Sequence, residues 1–150
     1  MALKQRIESD MKAALLGGDR FVGETLRGLK AAILNEEVAQ NKRDTGLDDA
    51  TIEQIIAKEV KKRNESAAIY EQNMREDAAE NERREAEILG RYLPEQLSEA
   101  ELKTVVDAKI AELGATDVKM MGQVMGAVKK EVGNAADGAT LAKLVKEALS

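Results

Sequence analysis

The chain has 150 residues, of which 34% are charged and only 2% aromatic, with acidic and basic side chains interleaved to a formal net charge of −5. That balance excludes the broad basic footprint of a tight, sequence-independent nucleic-acid binder, so any RNA contact is local and no DNA partner is expected. Cys and His are both absent, which excludes disulfides and thiolate chemistry and takes away the commonest general base and metal ligand.

The N-terminus, Met1-Ala2-Leu3-Lys4-Gln5-Arg6, lacks the apolar centre of a secretory signal. No run approaches the roughly 18 apolar residues of a membrane span. A cytoplasmic protein without a membrane partner is therefore expected. With one proline and no alternating pattern of strands, the fold class reads as all-α, built from amphipathic helices.

Leu3, Ile7, Met11, Ala14 and Leu15 recur at helical spacing as far as Gly17-Gly18, where the chain can turn. Asp19 is placed to cap a second helix, whose Val22, Leu26, Leu29 and Ile33 carry the pattern to about Ala39. Residues 41–47 read as a polar loop broken by Gly46. Asp48 or Asp49 then caps a third helix to about Asn73, with Ile52, Ile56, Val60, Ala67, Tyr70 and Met74 on one stripe. A fourth helix from about Asp77 to Leu93 turns Ala78, Ala79, Ala86, Leu89 and Leu93 inward, and the two should form a long antiparallel hairpin.

The only proline, Pro94, follows. Proline forces its predecessor into extended backbone and cannot donate a backbone hydrogen bond, so it marks a joint between an N-terminal domain, 1–94, and a C-terminal one, 95–150. Ser98 and Glu101 have the spacing of a capping box, and Leu97 and Leu102 that of a hydrophobic staple. Three short helices follow: one with Leu102, Val105, Val106, Ile110 and Leu113, ended by Gly114; one from Val118 to Val132; and one with Leu141, Leu144, Val145 and Leu149.

Projection at about 100° per residue sets Arg63 within the apolar stripe of the third helix and Lys58, Lys61 and Lys62 on the opposite face. An ion pair of Arg63 with Glu82 or Glu85 is expected, against the alternative that Arg63 faces a ligand. The three lysines either grip phosphates or form a solvated face diluted by Glu65. The carboxylates of the fourth helix have arginine partners within it and no recognised metal-binding loop, so no metal or cofactor is assigned.

Gly122 and Gly126 lie four apart on one shoulder of the middle C-terminal helix, with Lys119, Lys129 and Lys130 nearby. They either allow close packing against the last helix or open a surface to a partner or an RNA backbone. Asp137, followed by Gly138, is placed to cap the last helix. Ser9, Ser66, Ser98 and Ser150 have no base beside them, and no P-loop or dinucleotide fingerprint occurs, so no catalytic residue is assigned.

Lys58-Glu59-Val60-Lys61-Lys62-Arg63, Glu65-Ser66, Tyr70-Glu71, Arg75-Glu76-Asp77, Tyr92-Leu93-Pro94-Glu95-Gln96-Leu97-Ser98, Met121-Gly122-Gln123-Val124-Met125-Gly126 and Asp137-Gly138 together resemble the GatB/YqeY family. The resemblance spans nearly the whole chain and implies a free-standing YqeY-like protein. Its C-terminal domain would be similar to the three-helix tail of the GatB subunit of tRNA-dependent amidotransferases. Residue pattern and resemblance together point to a non-catalytic module that contacts tRNA or a tRNA-charging assembly through Gly122, Gly126, Lys119, Lys129, Lys130, Asp137 and Gly138, with Lys58, Lys61, Lys62 and Arg63 as secondary candidates read from the spacing on the third helix. The alternatives are a protein interaction adaptor and an accessory in glutamine-dependent carbon-nitrogen ligase activity, an association carried by the tail alone. Relatives commonly place a basic residue before the Ala-Asp-Gly turn; here the chain reads Gly133-Asn134-Ala135-Ala136-Asp137-Gly138, which weakens a phosphate contact there.

Overall fold

The structure, a computed structural model, describes residues 2–150. Among these residues every regular element is helical, and the chain divides into two compact units that meet between Leu93 and Pro94.

In the first unit, α1 spans Leu3–Leu16 and α2 spans Arg20–Ala39. Gly18 turns the chain between them at φ 81°, a conformation open to glycine because it lacks Cβ. The Asp19 carboxylate then accepts from the Val22 amide at 3.3 Å and starts α2. Asp48 does the same for α3, Asp49–Gln72, accepting from Thr51 at 2.8 Å. Those hydrogen bonds from Thr51 hold the Asp48 carboxyl below its usual range. Asp49, the next residue, accepts from the Leu3 amide of α1 at 3.1 Å. α4 spans Glu76–Gly90.

Ile7, Leu26, Leu29, Ile33, Ile52, Ile56 and Leu89 form the centre of this unit's core. Each contributes roughly 1.5–3 kcal/mol by leaving water. Two sequence expectations need correction. Met74 does not continue the α3 stripe; it is exposed and left-handed, φ 60°, in the turn to α4. α4 also stops at Gly90, short of Leu93. There Tyr92 turns inward and its hydroxyl donates to Asp10 at 2.6 Å, an anchor in α1 invisible to local helical periodicity.

In the second unit, Ser98 and Glu101 complete the capping box of α5, Glu99–Leu113, and Gly114 ends it in the left-handed conformation. A 3-10 turn, Val118–Met120, precedes α6, Met121–Val132; a second, Gly133–Ala135, precedes α7, Gly138–Leu149. Val118 therefore lies outside the α-helix expected to contain it, because the Asp117 carboxylate accepts from the Lys119 amide and caps a tighter turn first. Leu102, Val106, Val124, Val128, Leu141 and Val145 are buried together. The segment after Pro94 is held to this unit: the Leu97 amide donates to the Ala135 carbonyl at 2.8 Å, while the Gln96 side chain donates to the Pro94 and Asn134 carbonyls, each at 2.9 Å.

Candidate functional site

The core of α6 is built by Val124 and Val128, with Met121, Met125 and Val132 packed at its margin. Four- and three-residue spacing then turns Gly122, Gly126, Lys129 and Lys130 to the other side, and all four are exposed. A Cβ placed on either glycine meets no atom within 4 Å. Close packing against the last helix, one of the two readings of these glycines, is therefore corrected: the valines, not the glycines, make that contact. What remains is an open strip of backbone.

Lys119, Lys129 and Lys130 are exposed and none enters an ion pair among the described residues. Lys129 and Lys130 sit in the last turn of α6, where cations also complement the helix dipole. Asp137 is occupied locally, accepting from the Thr140 amide at 3.1 Å and its hydroxyl at 3.0 Å as the N-cap of α7. Gly138 is the first residue of that helix and is open to solvent. Capping accounts for the carboxylate of Asp137 without a ligand.

The secondary candidates divide sharply. Arg63 is largely buried and lies between two carboxylates: its Nη1 reaches Glu59 at 2.5 Å and its Nε lies 3.2 Å from Glu85. The Nε contact has ion-pair distance but not hydrogen-bond direction, which leaves that N–H without an acceptor. Of the two carboxylates expected, Glu85 is the partner. Lys58, Lys61 and Lys62 instead are exposed and enter no ion pair among the described residues. Beside Lys58, an open groove of about 210 Å³ runs between α2 and α3 past Gln40, Thr51 and Gln54, below the roughly 300 Å³ at which small-molecule pockets begin.

Sequence reasoning missed a partly buried charged pair in the first unit. Glu37 is 1% exposed, and Lys4 Nζ donates to both its carboxylate oxygens, at 3.2 and 2.9 Å. The available signal was Glu37 falling four residues after Ile33 on the inner face of α2. Arginines also cover aromatic faces: Arg84 lies 4.1 Å from the Phe21 ring centre, and Arg6 lies 4.9 Å from that of Tyr92. These stacks occupy guanidinium groups in packing.

The family described as Yqey-like protein matches residues 4–149. The chain is similar to curated yeast proteins named altered inheritance of mitochondria protein 41, mitochondrial. It is 35% identical to that of Kluyveromyces lactis over 121 residues, covering 79% of this chain and 59% of the relative. For Lachancea thermotolerans the identity is 30% over 126 residues, 83% of this chain and 65% of the relative. For Eremothecium gossypii it is 34% over 113 residues, 73% and 60%. The chain thus spans about three fifths of the length of these relatives. Their mitochondrial names overturn the expectation of a cytoplasmic protein. That expectation rested on the lack of an apolar leader and a spanning run, which bear on secretion and membrane insertion but do not separate one aqueous compartment from another.

Proposed function

The chain belongs to the Yqey-like protein family, and we propose that it is a binding module without chemistry of its own, whose second unit contacts the backbone of tRNA. The observation that carries this reading is the open face of α6. Glycine in a helix interior is roughly 1 kcal/mol less favourable than alanine, a cost that falls on Gly126, while Gly122 lies in the first turn; neither meets anything that alanine would displace. Close approach of another molecule's backbone supplies the missing reason. Lys119, Lys129 and Lys130 provide charge near it in sequence, and the resemblance to the GatB/YqeY family adds the Asp137-Gly138 turn as a further candidate. Phosphate contacts ask for this kind of exposed, unpaired cation and for little apolar area.

The same reading takes residues 1–94 as a helical domain with α3 and α4 as an antiparallel hairpin, and 95–150 as a three-helix domain similar to the GatB tail. Ion pairs Arg63–Glu85 and Arg83–Glu71 support the hairpin register. An accessory role in glutamine-dependent amide transfer follows only from likeness to that tail; a change in amidation rate on adding the protein to an amidotransferase is its test.

Filter binding of tRNA over a series of salt concentrations tests the main reading. Affinity that rises steeply as salt falls is expected; no detectable binding at low salt overturns it. A second reading, a protein adaptor, is favoured by exposed apolar side chains of the first unit, Val38, Ile69 and Met74. It expects a defined protein partner that remains bound after nuclease treatment.

A further inference from the structure

Resting on the tRNA reading, we infer that the lysine face of α3 is a second phosphate-contacting surface, separate from α6 and made by Lys58, Lys61 and Lys62. Their i, i+3, i+4 spacing puts three ammonium groups on one side of the helix within about 6 Å of axial rise. The structure explains why they stay uncompensated. Glu59, next to Lys58 in sequence, is captured by Arg63 from the buried side of α3. Glu36, across the adjoining groove, keeps its charge but is turned to Gln40, accepting from its Nε2 at 2.6 Å, and makes no ion pair with Lys58 among the described residues. On the lysine face itself the one carboxylate among the described residues is Glu65, exposed and in no ion pair there, so three ammonium groups face one carboxylate and the face keeps a net positive charge.

The surroundings favour RNA over an acidic protein segment. Gln54 and Thr51 continue the lysine face toward the start of α3. Cores of protein interfaces are enriched in aromatic and methionine side chains and depleted in lysine. Phosphate recognition, by contrast, uses exposed cations with amide and hydroxyl groups beside them. The carboxylates of Glu36 and Glu59 line the groove itself, so the contacts belong on the convex lysine face.

The test is filter binding of tRNA across salt concentrations with the full-length chain and the triple variant Lys58→Gln/Lys61→Gln/Lys62→Gln. The charge-matched control is Lys12→Gln/Lys42→Gln/Lys146→Gln, three exposed lysines outside both candidate faces. Circular dichroism melting verifies that each variant is folded. The slope of log affinity against log salt should fall by roughly 2–3 in the α3 variant, about 0.7–0.9 per lost phosphate contact, and by much less in the control. An α3 variant matching the control overturns this inference while the α6 reading stands. Absence of tRNA binding by the unaltered chain overturns both. If poly-L-glutamate binding is lost in the α3 variant while the tRNA slope is kept, the face belongs to an acidic protein and the RNA assignment falls.

Discussion

The Tyr92 hydroxyl donates to Asp10 at 2.6 Å, joining the residue two positions after the end of α4 to the middle of α1. Burial first, and then the hydrogen bond to Asp10, raises the Tyr92 pKa well above its usual value near 10. The folded chain therefore holds this proton where the unfolded chain releases it. Stability from the phenol is fully present below about pH 10 and is lost as pH rises toward the folded-state value. Urea unfolding of Tyr92→Phe should show a loss of about 1 kcal/mol at neutral pH, the usual net worth of one hydrogen bond. It should also show a flatter decline above pH 10 than the unaltered chain; equal alkaline slopes would contradict the assignment.

The Lys4–Glu37 pair is asymmetric, with 35% of the lysine side chain exposed and 1% of the glutamate. Removing the lysine strands a buried carboxylate, whereas replacing both partners removes the desolvation penalty together with the attraction. Lys4→Met should destabilise by roughly 3 kcal/mol in urea titrations, and Lys4→Met/Glu37→Leu should recover most of that loss. A double variant as unstable as the single one would mean that the pair is held by its surroundings rather than by charge.

Gly23 is a glycine that packing does require. A Cβ there would lie 2.4 Å from Leu15 Cδ2 and 2.7 Å from its Cγ, so α1 and α2 approach through this position. Gly23→Ala should cost roughly 1–3 kcal/mol by overpacking. Leu15→Ala in the same chain should make the added methyl tolerable, leaving a smaller penalty for Gly23→Ala than in the Leu15 background; calorimetric melting of the four proteins reads the coupling.

What could be read from residue order is what depends on short spacings. The caps at Asp19, Asp48, Ser98 and Asp137 all form, because an N-cap needs only a short polar side chain and an amide three residues on. Glu85 was one of two partners named for Arg63, and helix register selects it. Tyr92–Asp10 and Lys4–Glu37 join residues far apart in sequence, so no local period announces them. The glycines of α6 mark the same boundary: their spacing located the face, but only the packing of Val124 and Val128 on the other side showed that this face is open.

That openness makes Gly126 the sharpest probe of the α6 reading. The residue is helical, interior to α6 and free of neighbours at its Cβ position, so Gly126→Ala should stabilise the second unit by about 0.5–1 kcal/mol. If the bare backbone is kept for close approach to RNA, the same variant should weaken tRNA binding several-fold without changing the salt slope, because no charge is removed. Gly126→Leu should weaken it further while the α-helix is retained. Melting curves and filter binding on these two variants separate the readings: a stabilised protein with undiminished tRNA affinity would leave the glycine unexplained by RNA contact, whereas gain of stability with loss of binding is what a functional glycine on an exposed helix face predicts.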